Sequence, residues 1–443
     1  MRIPDTAPSF EAVLHAMAAG DPAAFRKILT ADIPATVDSR YRHWAKLRHL
    51  QPPEGLTNEQ WWWGIKLARK RLWRPLPLRD AGGAPFQYGM TDEALAMIHE
   101  IDRNASGSIA ISEQVTSPET RDRYLVSSLI EEAITSSQLE GAATTARVAR
   151  EMIRSGRRPK DPDERMILNN YRGIRAIRGF AGPLTPERVC ELHRIMTEGT
   201  LDVPEAAGRL RKDNEYRVVK SPQDEILHHP PPAGELGERM VQMCEFANAT
   251  SSTPFVHPVI RSILLHFWLA YDHPFVDGNG RTARALFYWS MLSHGYWLCE
   301  YVSISSILRK APATYARAFL YSESDDNDAT YFVLNQLSVI QRAIRALHRY
   351  LQKKAAEIRE VERLFRKSAE FNHRQMAVLS HALRHPDMRY TIHSHRTSHN
   401  VVYETARTDL LRLADRGLLR AQKHGRTYHF YPVDDLAARL AGP

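Results

Sequence analysis

The chain has 443 residues, of which 43% are hydrophobic and 25% charged, and its formal net charge is +9. These values are typical of a soluble globular protein with two to three domains, and the positive charge favours an acidic partner. No apolar run reaches the roughly eighteen residues of a membrane span, which argues against a membrane partner. Three widely spaced cysteines (Cys190, Cys244 and Cys299) form neither a disulfide framework nor a zinc pattern, so we expect a cytoplasmic protein.

The N-terminal part of the chain predicts helices. Residues 1–35 resemble a small separate helical piece, and the segment from Gln60 to Arg74 mixes tryptophans with basic residues before Pro75 and Pro77 end it. The favoured interpretation is a helix that buries its tryptophans and turns a basic face to solvent. Contact with nucleic acid or with a membrane surface is the alternative. We assign residues 1–105 to an N-terminal helical accessory region.

A second helical pattern begins at Ser117-Pro118, where a capping residue precedes a first-turn proline. Its apolar stripe includes Leu129, Ile130 and Ile134. It ends in the sequence SSQLEG, which contains Ser136, Glu140 and Gly141. A solvated glutamate before a helix-ending glycine is the plain interpretation of this end.

Two short β-type runs follow further along the chain, at 216–219 and within 226–232, around the polar turn 221–224. They predict a β-hairpin whose first run includes Val218 and Val219. A plain surface hairpin, with His228 and His229 solvated, is the alternative.

The segment from His273 to Arg284 reads HPFVDGNGRTAR and lies between two helical patterns of apolar residues. A histidine can accept a proton from a hydroxyl, and a carboxylate can hold Mg²⁺. Consecutive backbone N–H groups in a glycine turn at a helix start bind anions. Since the chain has no GxxxxGK and no GxGxxG, the phosphate site must be the loop at Gly278.

This segment fits the HxFx(D/E)GNGRxxR signature of the Fic family at every fixed position. The chain therefore resembles the Fic proteins that transfer AMP from ATP to a hydroxyl side chain of a target protein. The resemblance, together with the charges, implies a role for each residue. His273 would be the general base, Asp277 would hold Mg²⁺, and the remaining residues would bind the phosphates of ATP: Gly278, Asn279, Gly280, Arg281 and Arg284.

The resemblance extends to two further segments. Ser136, Glu140 and Gly141 match the (S/T)xxxE(G/N) motif of Fic proteins with an N-terminal inhibitory helix, which would lie at about 117–141. If Glu140 pairs with Arg284, that arginine is unavailable to the γ-phosphate. The predicted hairpin is similar to the Fic flap, whose open edge adds a strand of the target, and this implies a docking role for Val218 and Val219. Whether Glu140 also supports removal of AMP stays open, and Tyr315 and residues 325–328 receive no role.

The C-terminal part predicts a helix from Tyr331 to about Glu370, two further helices, and two β-type runs around 423–426. This order resembles a winged helix-turn-helix, in which Tyr403, Glu404 and Arg407 would face the major groove of DNA and Arg426 would touch phosphate. Protein docking and dimerisation are the alternatives, so a homodimer is compatible with the sequence. His393, His395 and His399 fit a solvated helix–turn better than a metal site.

Together these patterns predict a mainly α protein: a Fic-type helical bundle with a short β-hairpin flap. The predicted domains are residues 1–105, 106–365 and 366–443. The predicted function is protein adenylyl transfer with ATP and Mg²⁺, to a Ser, Thr or Tyr hydroxyl of a target protein or of the chain itself. The alternatives are transfer of another phosphate-containing group, removal of AMP, and a nucleotide-sensing transcriptional regulator that binds DNA.

Overall fold

The computed structural model describes residues 3–20, 22–105, 118–180, 182–215, 217–221, 223–249, 254–366, 371–424 and 427–441. The chain forms two compact units, one of residues 1–107 and 128–344 and one of residues 108–127 and 345–443. The fold is mainly α, as predicted, with three small antiparallel sheets among the described residues. In the same part of the chain, no helix combines the length and apolarity that crossing a bilayer requires. The three-domain division stays a prediction.

The first unit begins with helices that pack around tryptophans. Its first elements are α1 (Phe10–Gly20), α2 (Pro22–Thr30), α3 (Trp44–Leu47), α4 (Asn58–Lys70), β1 (Trp73–Arg79), β2 (Pro85–Gly89) and α5 (Asp92–Ala105). The ring of Phe10 stacks on Trp63 of α4 at 5.5 Å, and Phe25 of α2 lies 5.6 Å from the same ring. The prediction that residues 1–35 form a separate piece is therefore wrong, because Trp63 needs both helices to cover it.

The basic face of α4 is also different from the prediction. Trp61, Trp62 and Trp63 are buried as predicted, but Lys66 and Arg69 are buried with them. Pro75 and Pro77 do not simply end a helix, because both lie within β1, which pairs with β2 in an antiparallel hairpin. Lys66 and Arg69 therefore do not contribute to the solvent-exposed basic face that the sequence predicted.

The centre of the first unit is a helical bundle. Its elements are α6 (Pro118–Leu139), α7 (Ala146–Ser155), α8 (Pro162–Ile177), α9 (Pro186–Thr197), β3 (Val219–Lys220), β4 (Ile226–His228), α10 (Leu236–Asn248), α11 (Pro258–Asp272), α12 (Asn279–Ser293), α13 (Ile304–Leu308), α14 (Pro312–Glu323) and α15 (Thr330–Arg366). Helices α6 and α15 contribute residues to both units. Ser117, the predicted cap of α6, lies outside the described residues.

Helix α11 is the core of the bundle. Pro258 occupies its first turn, where a missing N–H costs nothing, and Nδ1 of His257 accepts from the N–H of Val259 at 3.3 Å. Almost every side chain from Val259 to Asp272 is buried, which is the pattern of a helix surrounded by others. Helices α11 and α12 flank the HPFVDGNGRTAR loop, as predicted.

The predicted flap hairpin is confirmed in a short form. β3 and β4 pair antiparallel, with Val219 opposite His228 and Lys220 opposite Ile226. The N–H of Ser221 donates to Glu225 O at 2.8 Å and closes the turn. Val218 and Val219 are half-buried, whereas Tyr216 lies outside the described residues.

The second unit has its own hydrophobic core. Its further elements are α16 (His373–Arg384), β5 (Tyr390–Thr391), α17 (Ile392–His399), α18 (Tyr403–Asp415), β6 (Leu419–His424), β7 (Thr427–Pro432) and α19 (Leu436–Ala441). β7 lies between β5 and β6 in an antiparallel sheet, and Leu379, Leu410 and Phe430 are fully buried. His395 is buried beside Asp409 at 3.3 Å and is not solvated as expected. Arg426 and Glu370 lie outside the described residues.

Candidate active site

The loop between α11 and α12 is fixed by its own backbone geometry. His273 ends α11 in the left-handed conformation, with φ 46°, and its N–H donates to Leu269 O. Gly278 precedes α12 with φ 81°, a region that favours glycine. Between them, the Phe275 side chain is fully buried.

Asn279 holds this loop closed. Its side chain accepts from the Phe275 N–H at 2.9 Å and donates to Phe275 O at 2.8 Å. The Asn279 side chain is buried, and both its oxygen and its nitrogen are engaged with the Phe275 backbone, so we expect its backbone N–H to be the group that contributes to phosphate binding. Thr282 adds a bond from its hydroxyl to Gly278 O at 2.9 Å.

His193, which lies outside the motif, contacts the loop through its ring. His193 of α9 stacks on Phe275 with ring centroids 3.7 Å apart, and its Nε2 lies 2.9 Å from Asp277 O while its Nδ1 accepts from the Gly208 N–H. Burial lowers the pKa of His193 to about 4, which keeps the ring neutral for this pair of bonds. Nothing in the sequence pointed to His193, because it lies on a separate helix, 80 residues before His273.

Arg211 ties the loop to the segment that carries the flap. Its backbone N–H donates to Pro274 O at 2.9 Å, and its Nε donates to His273 O at 3.0 Å. Its Nη2 donates to Pro231 O, three residues after β4. The flap is thereby anchored on the residue that carries the predicted base.

The His273 imidazole lies in a partly enclosed site. Burial, followed by the charge of His228, lowers its pKa to about 4, against a smaller raising effect of a hydrogen bond to the Ala270 backbone. A neutral imidazole has one ring nitrogen without a hydrogen, and that nitrogen can accept a proton. At neutral pH the ring is therefore neutral and able to act as a base.

The start of α12 has the features of an anion site. Gly278 has no side chain that could cap the helix, so the backbone N–H groups of the first turn of α12 can donate to a bound anion. Arg281 is buried, and its guanidinium donates to Met196 O at 3.0 Å and to the Asp277 carboxylate at 3.1 Å. Asp277 itself is exposed at the rim.

The residues present fit one bound Mg²⁺ ion only together with a phosphate ligand. Within the described ranges, no three His, Cys, Asp or Glu side chains group closely enough to hold a metal ion. Asp277 offers one accessible carboxylate, and Mg²⁺ is commonly held by one or two carboxylates plus substrate phosphates and water. Asp277 could hold the ion in this way, next to the anion site.

The predicted inhibitory residues meet the predicted phosphate-binding arginine. The Arg284 Nη2 donates to the Glu140 carboxylate at 2.7 Å and to Ser136 O at 3.0 Å, and its Nε donates to the Ser136 hydroxyl at 2.9 Å. Burial raises the pKa of Glu140, but the charge and hydrogen bond of Arg284 outweigh burial and leave that pKa below its usual value. Gly141 follows with φ 102°, a conformation that a side chain would strain.

Glu140 also lies against the first turn of α12. A Cβ atom added to Gly280 would stand 2.2 Å from the Glu140 Oε1 and 3.0 Å from the Arg284 Nη1. The carboxylate thus occupies the space over Gly280, where an anion held by the α12 N–H groups would lie. Among the predicted site residues, Ser136, Glu140, Gly280 and Arg284 are in one cluster.

Tyr315 and His266 add a buried polar pair that the sequence analysis did not assign. The Tyr315 hydroxyl lies 2.7 Å from Nε2 of His266, which is on α11. Burial lowers the pKa of His266 to about 3, so the ring is neutral and its Nε2 can accept from the tyrosine. Burial raises the pKa of Tyr315 to about 12, against the lowering effect of the Arg284 charge.

Comparison with known proteins identifies the class of this domain. A family model described as the Fic/DOC family matches residues 183–291, which include the loop, α11 and most of α12. A crystal structure of a Fic family protein from Desulfovibrio desulfuricans G20 has a TM-score of 0.53 and 17% identity, covering 78% of this chain and 98% of that one. At this identity the likeness shows the fold alone.

Two curated relatives are named "Protein adenylyltransferase Fic". Over 113 residues the chain is 35% identical to the protein of Drosophila melanogaster and 34% identical to that of Drosophila willistoni. The alignments cover 26% of this chain and 21% and 20% of the two relatives, so the chain spans about a fifth of their length. Residues 183–291 of the chain thus match the Fic/DOC family, and the names of the relatives support a transferase.

Proposed function

We propose that the chain is a protein adenylyltransferase, which moves AMP from ATP to a hydroxyl of a target protein or of itself. The observation that carries the proposal is the closeness of a neutral histidine, His273, to an uncapped helix start and two buried arginines. An acceptor hydroxyl needs a base, and a triphosphate needs fixed positive charge and backbone donors. The loop from His273 to Arg284 offers all of these.

The chemistry follows from these positions. The acceptor oxygen forms a bond to the α-phosphorus, the bond from that phosphorus to the bridging oxygen breaks, and pyrophosphate leaves. The acceptor proton passes to His273, while Arg281, Arg284 and the N–H groups of Gly278 to Gly280 hold the phosphates. Mg²⁺ on Asp277, when bound, would neutralise charge on the phosphates. Most of the catalysis is positioning and charge stabilisation.

We further propose that Glu140 inhibits the enzyme. It occupies the space over Gly280 and one face of the Arg284 guanidinium, so the γ-phosphate of ATP meets a carboxylate where it needs a cation. Two negative groups at this short distance repel strongly in a partly buried site. ATP then binds in a pose from which AMP is not transferred until Glu140 moves.

Docking of the target is assigned to the flap. A strand added beside β3 would form backbone hydrogen bonds and would read little of the target sequence. Val219 lies on this strand and Val218 directly precedes it. Arg211 links the flap to the loop that carries His273. An acceptor side chain on the added strand would thus be held close to the base.

The test is substitution of the proposed base in a protein that lacks the proposed inhibitory residue. In a Glu140→Gly background, His273→Ala should lower incorporation of AMP from α-labelled ATP by at least about a hundredfold, the usual contribution of a general base. Binding of a fluorescent ATP analogue should stay within about threefold, since His273 holds no phosphate.

His99→Ala, at an exposed histidine of α5, is the matched control and should leave both measurements unchanged. Full labelling by the His273→Ala protein would remove this residue from the mechanism. Intact mass spectrometry then identifies the group: an added adenylyl mass supports AMP transfer, whereas the smaller phosphate mass supports the alternative donor orientation.

DNA binding by the second unit is a second candidate. The order α16, β5, α17, α18, β6, β7 supports the winged helix-turn-helix prediction, and Val402 and Tyr403 at the start of α18 are unusually exposed, at 69% and 54%. Arg407, however, pairs with Glu404 at 2.7 Å. A mobility shift on duplex DNA that weakens steeply with salt and fails for Tyr403→Ala would support this function.

A further inference from the structure

The flap contains a buried histidine whose two ring nitrogens both face acceptors. His228 is on β4, and only 8% of it is exposed. Its Nδ1 lies 2.7 Å from the Glu323 carboxylate, and its Nε2 lies 2.7 Å from Tyr271 O. A carboxylate and a carbonyl oxygen only accept hydrogen bonds, so both nitrogens must carry hydrogen. This geometry requires the positively charged imidazolium form.

The charges around His228 come from each element packed against it. Glu323 is the last residue of α14, Asp272 is the last residue of α11 and pairs with Arg239, and His273 follows directly. The Tyr271 ring lies 4.6 Å from the His228 ring. Burial lowers the pKa of His228, but the hydrogen bond and charge of Glu323 and the bond to Tyr271 outweigh burial and leave the pKa above its usual value.

His228 joins the docking strand to the catalytic helix. It lies opposite Val219 in the hairpin, and its bond to Tyr271 O reaches the last turn of α11, two residues before His273. The two-residue strand β3 has few hydrogen bonds of its own, so its position depends on such anchors. We propose that charged His228 is a positioning residue, which fixes the flap to α11 so that a protein acceptor is held near His273. This inference rests on the proposed function.

A charged His228 makes the stability of the flap depend on pH in a definite direction. A group with a raised folded pKa stabilises the folded arrangement fully below its ordinary pKa of about 6.5 and loses that contribution as pH rises through the folded value. The contacts of charged His228 with Glu323 and Tyr271 O should therefore stabilise the flap at low pH and lose this effect at high pH. In addition, the charge of His228 lowers the pKa of His273, so removal of that charge should raise the pKa of the base.

The first experiment needs no catalysis. Hydrogen exchange of the flap amides, corrected for intrinsic rates, is measured from pH 6 to pH 9 for the full chain and for three variants. Wild-type protection should fall at least about fivefold as pH rises. Glu323→Gln should move this fall to lower pH, and His228→Gln should show weak protection at every pH. His229→Gln, at the exposed neighbouring histidine, should behave as wild type.

The second experiment measures positioning in the Glu140→Gly background. Labelling of a fixed lysate protein pool is compared with release of AMP from ATP to water, which needs no docked strand. His228→Gln should lower the ratio of protein labelling to AMP release at least about fivefold. The decrease in AMP release at low pH, which follows protonation of His273, should move to higher pH. His229→Gln should change neither.

The outcomes separate the two claims. Unchanged flap protection in His228→Gln, or weakened protection with an unchanged ratio, would overturn the positioning role. Absence of both labelling and AMP release in the Glu140→Gly parent would overturn the proposed function instead, and flap exchange would still decide whether His228 anchors the strand.

Discussion

The first unit contains two clusters of buried charge that are built alike and differ in their openness. In the N-terminal cluster, Lys66 contacts Asp325 at 2.6 Å, and neither side chain is exposed. In the active-site cluster, Arg284 contacts Glu140 at 2.7 Å, but 26% of the Glu140 side chain is exposed. The chemistry of the two contacts is the same: a cation from one helix meets a carboxylate at the end of another.

The partners explain the difference. Arg69 joins the N-terminal cluster and donates to Ala35 O, Arg42 O and the Tyr331 hydroxyl, which itself donates to Asp325. The side chains of Lys66, Arg69 and Asp325 are fully buried, so this cluster cannot open without leaving buried charges unpaired. Glu140 instead lies beyond the end of α6 and meets solvent on one side. The comparison suggests that a closed cluster stabilises the fold, whereas an open pair can be exchanged for a ligand.

The largest expected effect concerns the closed cluster. Lys66→Ala removes the cation that contacts both Asp325 and Asp326, and it should lower the free energy of unfolding by about 3–5 kcal/mol because a buried carboxylate loses its partner. Urea denaturation followed by circular dichroism measures this change. Lys70→Ala, at the exposed end of the same helix, should cost less than about 1 kcal/mol. Equal stabilities of the two variants would contradict the distinction between closed and open clusters.

The open pair should respond in activity rather than in stability. Glu140→Gly frees Arg284 and the space over Gly280, and it should raise automodification by labelled ATP at least about tenfold, which corresponds to about 1.4 kcal/mol of barrier. The free energy of unfolding should fall less than in Lys66→Ala, since Glu140 is partly exposed and buried Arg284 keeps its two bonds to Ser136.

Arg284→Ala in the same protein should cancel the gain. Glu131→Ala, at a surface glutamate of α6 that pairs with Arg150, is the matched control and should not activate. If Glu140→Gly and wild type label equally, inhibition by Glu140 is excluded.

The smallest effect is the pH response of the active-site cluster. The pKa of Glu140 is lowered, so its contact with Arg284 is fully present above its ordinary pKa of about 4.5 and is lost only as pH falls through the lower folded value. His273, with a pKa of about 4, loses its neutral form in the same range. Acid should therefore not activate the wild type, because the base is protonated as the pair breaks.

AMP release from ATP to water by the Glu140→Gly protein measures the base alone. The rate should be level from pH 8 to about pH 5.5 and should fall by half near pH 4. A fall centred near pH 6.5, the ordinary histidine value, would contradict the lowered pKa of His273.

The motif residues could be predicted because the constraint is local. The apolar stripes on both sides of the loop predicted α11 and α12, and Gly278 and Asn279 predicted the turn between them. The pairing of Glu140 with Arg284, 144 residues apart, came from the family pattern, since nothing in the spacing of two single residues indicates contact. The hairpin of residues 217–228 was visible because its strands are separated by a short polar turn.

The remaining features depend on contacts between distant segments. Lys66 and Arg69 look like surface residues in sequence, because the acidic loop that buries them lies about 260 residues later. Likewise, the support of Phe275 by His193 and the bonds of His228 to Tyr271 and Glu323 arise only when separate helices meet. Histidine side chains are often exposed to solvent, and residue type alone does not distinguish a buried histidine that holds two segments together from an exposed one.

The backbone at His273 shows how stability and the proposed chemistry place opposite demands on one residue. A non-glycine residue with φ 46° is held in a conformation that costs free energy. Under the proposed mechanism the imidazole is required at this helix end, and the tightly packed neighbours of α11 hold the strained backbone in place. Glycine would relax this corner and remove the reacting group together, so selection for robustness and selection for turnover pull this one position in opposite directions.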